Sequence, residues 1–151
     1  MAEKIGIRSA TVTIRDGKVL LVNSKYDDGE YYLFPGGGVE FGETIEEGAI
    51  RETFEETGFK VKIEKLIHIN EFIYKEDWNK RSITAFFLAS PKEESLENIS
   101  NDNGKIKTVE WIDISKLEDL DIRPEILSKI LKEYKEDLNK IVSSYSVDFK
   151  E

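Results

Sequence analysis

Two β-rich runs, IGIRSATVTI and VLLVN, flank the turn Arg15-Asp16-Gly17-Lys18, and an Asp-Gly pair in that setting predicts a hairpin over residues 5–22. Residues 23–30 are polar and turn-rich and read as a loop. Tyr31-Tyr32-Leu33-Phe34 follows as a short aromatic strand, leading into Pro35 and three glycines. The pattern then turns helical. The helix starts near Glu43–Thr44 and ends at Gly58, the residue type best suited to a left-handed cap. Each helical residue advances about 100°, so Glu52, Glu55 and Glu56 share one arc of its surface. Gly48 falls inside that arc and leaves room for a close approach, whereas Ile45, Ala49, Ile50, Thr53 and Phe54 lie on the side expected to pack on a sheet.

Beyond the helix, Phe59, Val61 and Ile63 alternate with charged residues and predict a strand, continuing over Lys65–Tyr74 after a bend. His68 within it reads as a structural residue, and Tyr32 and Phe34 read as core. Residues 76–81 form a hairpin connection, and SITAFFLAS is a buried strand ending at Pro91. Residues 92–105 read as a mobile loop. The last strand is Thr108–Ile112, and a closing helix runs from Pro124 to about Ser143 with an apolar stripe that includes Ile126, Leu127, Ile130, Leu131 and Ile141. No repeat or linker divides residues 1–151, so the chain is expected to form a single domain. Strands on either side of a helix, then a closing helix, fit an α/β or α+β arrangement with a sheet covered on both faces.

Composition narrows the chemistry. The net charge is −9, from 22 basic and 31 acidic residues. A duplex-binding surface needs clustered cations, and without such a stripe no nucleic-acid polymer is expected as a partner, although a nucleotide carrying its own Mg²⁺ is compatible. Cysteine is absent and His68 is the single histidine, which excludes disulfides, thiolate metal sites and zinc sites built from several histidines. No apolar run approaches the ~20 residues of a membrane span, and no leader pattern opens the chain. A soluble, cytoplasmic protein without membrane contact is expected, and a homodimer is left open.

Glu52 and Glu56 are like charges at i,i+4 and repel by about 0.2–0.5 kcal/mol. A hard cation such as Mg²⁺, which takes carboxylate oxygens, would relieve them. A run of glutamates is ordinarily a solvated helix face, but Gly36-Gly37-Gly38 serves no helix and lets backbone approach a ligand. Arg8 reads as a rim charge or a phosphate contact.

Gly37, five residues, Glu43, seven residues and then Arg51-Glu52-Thr53-Phe54-Glu55-Glu56-Thr57-Gly58-Phe59 resembles the Nudix box, here residues 37–59. Thr53 departs from it, standing where the family usually carries a larger aliphatic residue. The resemblance implies an α/β/α sandwich around a mixed β-sheet. It also implies hydrolysis of a nucleoside diphosphate linked to some group X: a nucleoside triphosphate, dinucleoside polyphosphate, ADP-ribose or nucleotide sugar. Glu52, Glu55, Glu56 and the carbonyl of Gly37 would be ligands of Mg²⁺, with Mn²⁺ as a substitute. Glu52 or Glu55 would act as the base. Arg51 would pair with Glu55, Glu47 or Glu43 and orient the cluster, with Glu43 in a capping and supporting role. Tyr74 and Trp78 are candidates for base stacking, and Glu93, Glu94 or Glu97 for a downstream carboxylate. The alternative is a catalytically silent nucleotide sensor of the same fold.

Overall fold

The computed structural model describes residues 5–26, 29–94 and 107–150. Its strands are β1 (Ile5–Arg15), β2 (Lys18–Tyr26), β3 (Gly29–Leu33), β4 (Gly36–Gly38), β5 (Phe59–Tyr74), β6 (Asp77–Glu94), β7 (Lys107–Asp113), β8 (Ile122–Arg123) and β9 (Ser144–Lys150), with helices α1 (Ile45–Thr57) and α2 (Glu125–Glu133). They form one mixed sheet in the order β8-β3-β2-β1-β6-β5-β9, with β4 added to β1 and β7 to β2. The β1–β2 turn uses positive φ at both Asp16 (51°) and Gly17 (74°), the backbone that a two-residue hairpin of native twist requires.

Strand alternation sorts the core into two layers. In β6, Phe86 and Leu88 face a cluster containing Ala10, Val12, Ile67, Leu127 and Leu131, which α2 covers. Ala85 and Phe87 face the opposite way, onto Ala49 of α1. Each helix thus covers its own face, the sandwich implied by the box. Thr53, the departure from the usual box, is fully buried. Its hydroxyl lies 2.8 Å from that of Thr11 on β1, which in turn accepts from Thr13 at 2.9 Å. A polar side chain is tolerated there because β1 supplies matching hydroxyls.

Several boundaries differ from expectation. Residues 23–30 are not an irregular loop: β2 continues to Tyr26 and β3 begins at Gly29. Asn23 and Ser24 are buried because β2 is paired with both β3 and β7, so their backbone groups need no water. β6 runs through Pro91, which sits beside a register shift near Val61, a place where a missing N–H is harmless. The closing helix stops at Glu133, a 3₁₀ turn covers Leu138–Lys140, and the true last strand is β9, parallel to β5. Ile45, expected on the packed side of α1, is 43% exposed in the first turn. Among the described residues no helix is long and apolar enough to cross a membrane.

Candidate active site

The site is built where β4 lies against β1 and faces α1. Gly36, Gly37 and Gly38 pair with Ala10, Ser9 and Arg8. A Cβ on Gly37 would sit 2.5–2.7 Å from the carboxylate atoms of Glu52, so that carboxylate fills a cradle that only glycine leaves open. α1 begins with a capping box: Thr44 accepts from the Glu47 backbone N–H, and Glu47 accepts from that of Thr44. The cap is therefore Thr44, not Glu43, and Glu47 is occupied there rather than with Arg51. Gly58 closes the helix at φ 79°. The room left at Gly48 is taken by the chain itself, since a Cβ there would meet Glu43 at 3.0 Å and the Ser9 hydroxyl at 3.1 Å.

Arg51 organises the acidic side chains. Its Nε and Nη2 donate to the two oxygens of Glu43 at 3.0 and 2.8 Å. Nη1 donates to Glu52 at 2.9 Å and Glu55 at 3.2 Å, and Nη2 also reaches the Gly38 carbonyl at 3.0 Å. Glu43 additionally accepts from the Glu40 backbone N–H. The hydrogen bonds from Arg51, then that from Glu40, hold the Glu43 carboxyl down at about 2, and Arg51 is pushed further toward its cationic form, chiefly by Glu43. Glu56, one turn from Glu52, accepts from the Gly36 N–H at 2.8 Å. Among the described residues no three carboxylate or imidazole groups converge on a common point, because Arg51 engages Glu52 and Glu55 while Glu56 is turned to β4. The donor set itself, carboxylate oxygens beside glycine backbone, is of the kind a hard divalent cation takes.

Glu56, Gly36, Gly37 and Arg8 stand at one side of a cavity of about 820 Å³. β5 contributes Asn70, Phe72 and Tyr74, β9 contributes Asp148, Phe149 and Lys150, and Tyr31 and Arg123 complete the wall. The Arg123 guanidinium lies 4.1 Å from the centre of the Tyr31 ring. Tyr74 is 37% exposed and packs edge-on against Phe72, with ring centroids 5.3 Å apart. Gly37, Glu43, Arg51, Glu52, Glu55 and Glu56 are thus brought together, and Arg8 and Tyr74 line the adjoining cavity. The Trp78 side chain, those of Glu93 and Glu94, and the whole of Glu97 lie outside the described residues. His68 is buried, with its ring nitrogens 2.8 and 2.7 Å from the hydroxyls of Ser144 and Ser146, and burial lowers its pKa. The contributions of Asn70 and β9 to the wall were not expected. The signal for them was the alternation Ser144-Tyr145-Ser146-Val147-Asp148-Phe149 at the end of the chain.

A family model described as NUDIX domain matches residues 6–134. A MutT-like protein of Streptomyces ambofaciens is 32% identical over 103 residues, covering 68% of this chain and 60% of that protein. An ADP-ribose pyrophosphatase of Methanocaldococcus jannaschii is 41% identical over 56 residues, 36% of this chain and 33% of that protein. The matched stretches therefore span less than two thirds of these relatives' lengths. Among solved structures, a NUDIX hydrolase from Nitrosomonas europaea superposes with a TM-score of 0.73 at 20% identity, covering 88% of this chain and 90% of that one. At that identity the likeness speaks for the fold.

Proposed function

Because the chain belongs to the NUDIX domain family, we propose that it is a metal-dependent pyrophosphohydrolase. Its substrate would be a nucleoside diphosphate linked to a second group, cleaved at the phosphoanhydride by water. The observation that carries this reading is the acidic turn of α1, seated on the glycines of β4, standing at one side of a large cavity with aromatic residues in its wall. Glu52, Glu55, Glu56 and the backbone of Gly37 would hold Mg²⁺, or Mn²⁺ in its place. Such an ion would supply charge neutralisation at the diphosphate and a lowered pKa for the attacking water.

The remaining work falls to the chain's own residues. The two-pronged hold of Arg51 on Glu43 would anchor its positive charge beside the cluster were Glu52 and Glu55 to turn toward a cation. Glu52 or Glu55 accepts the proton of the attacking water. Arg8, exposed on β1 opposite Gly38, supplies a planar donor fork to a phosphate. An acidic chain of net charge −9 favours free nucleotides over nucleic-acid polymers and anionic membranes. The cytoplasm is the compartment in which such substrates would be met, and light scattering would decide between monomer and homodimer.

The test is mass-spectrometric product analysis after incubating pooled nucleoside triphosphates, ADP-ribose, nucleotide sugars and dinucleoside polyphosphates with the protein and Mg²⁺. Consumption of one member, abolished by EDTA and in Glu56→Gln without loss of fold, is the expected result. Retained nucleotide binding without turnover under Mg²⁺ or Mn²⁺ would replace the enzyme with a binding module. Unchanged turnover in Glu56→Gln would remove the metal assignment.

A further inference from the structure

The far wall of the cavity is made by β9, which pairs with β5 from His68↔Ser144 to Tyr74↔Lys150 and lies beyond residues 6–134 of the family match. The polar contacts between these strands leave an asymmetric result. Asn70, only 6% exposed, donates from Nδ2 to the Ser146 hydroxyl at 2.9 Å and to Asp148 Oδ2 at 3.0 Å. A carboxylate can only accept, so Asp148 settles which end of the amide is nitrogen. The amide carries two hydrogens, and both are spent on β9. The pair therefore has acceptors alone to offer a ligand: the Asn70 carbonyl oxygen and the remaining lone pairs of the Asp148 carboxylate. Both residues line the cavity, with Phe72 and Tyr74 following on β5.

We infer that Asn70 and Asp148 read the base of the substrate, and that they select guanine. This rests on the hydrolase reading of the same cavity. Among the common bases, guanine alone presents two adjacent donors, N1–H and the N2 amino group, on its pairing edge. Adenine and cytosine place a ring-nitrogen acceptor beside their amino group, and uracil places its single N–H between two carbonyls. Against this acceptor-only pair, each of these sets at least one lone pair against another, and an unpaired polar contact in a binding site is what discriminates strongly. Phe72 and Tyr74 favour a flat ring beside the pair over a sugar, since stacking tolerates any base and leaves its edge to be read.

The experiment uses the full chain and separates base reading from hydrolysis. Binding of GMP, IMP and AMP is measured by calorimetry, and turnover of GTP, ITP and ATP is measured with Mg²⁺. Inosine lacks only the N2 amino group, so the reading requires GMP to bind about 10-fold tighter than IMP, the loss expected for one hydrogen bond to a charged group. AMP should bind more weakly than GMP by at least as much. Asp148→Asn, at an exposed position, should bring GMP and IMP to within about twofold, because an amide can offer a donor where the carboxylate had none. Equal binding of GMP and IMP by the unaltered protein overturns the inference, as does no GMP binding, or a guanine preference that survives in Asp148→Asn. Guanine preference without hydrolysis of any nucleotide keeps the inference and removes the enzyme. Hydrolysis without base preference does the reverse.

Discussion

Replacing Gly37 by alanine adds one methyl group, and the structure says where it must go. The new Cβ would stand 2.5 Å from Glu52 Cδ and 2.6–2.7 Å from its two oxygens. Carbon atoms in contact settle about 3.5–4.0 Å apart, so the carboxylate has to retreat by roughly 1 Å. It is the far end of a flexible side chain, and neither Gly36 nor Gly37 has a positive φ, so the retreat costs little folding energy. Alanine also restricts the unfolded chain, a gain of about 0.4–1 kcal/mol. Stability should therefore change by no more than about 1 kcal/mol, or ~4 °C in Tm for a chain of this size. Catalysis is different, because a misplacement of about 1 Å can lower turnover ~10²-fold. Gly36→Ala is the control. Its Cβ would meet the Ser9 carbonyl oxygen and sit 2.5 and 2.7 Å from Ala10 Cβ and Cα, none of which is free to swing away. That overpacking should cost about 1–3 kcal/mol or more, seen as a Tm lower by at least ~2 °C. Thermal denaturation and kcat/KM with Mg²⁺ are measured on both variants. A fully active Gly37→Ala would refute the cradle argument, and a Gly36→Ala with undiminished stability would refute the account of β4 packing.

Other substitutions probe the supports of the site. Thr53→Val keeps the shape but removes one partner of the Thr11 hydroxyl, which should cost about 1 kcal/mol in urea denaturation with turnover unchanged; a more stable variant would contradict the threonine contact. Glu43 has its folded pKa depressed from 4.5 to about 2 by Arg51 and the Glu40 N–H. Its stabilising effect is complete above 4.5 and is lost as the pH falls through about 2. The stability gap between the native protein and Glu43→Gln should then close over that window, and a gap independent of pH would remove the assignment. Burial lowers the pKa of His68 below 6.5, so the unfolded chain takes up the proton first and stability declines as pH falls from 6.5 toward the depressed value. His68→Gln should show a shallower decline over that range, and an identical slope would place the titration elsewhere.

The box helix was legible because its determinants are local. Thr44 and Glu47 cap its start, Gly58 ends it, and the spacing of Glu52, Glu55 and Glu56 defines one face whatever the rest of the chain does. The first hairpin was readable for the same reason, through Asp16-Gly17. Strand β9 was harder to see: its alternation of Tyr145, Val147 and Phe149 with polar residues is short, and the closing-helix pattern of residues 124–143 ran up to its edge. Its alternating residues Ser144, Ser146 and Asp148 make sense beside β5, where His68 and Asn70 form a buried polar stripe. A buried imidazole and a buried amide must find hydrogen-bonding partners or forfeit about 1–3 kcal/mol each. The chain has to supply a run of small polar side chains at period two to meet them. A polar strand is thus legible from the debt of its neighbour. Asking what satisfies His68 and Asn70 leads to Ser144-x-Ser146-x-Asp148, and with it to the wall of the cavity that the box alone does not describe.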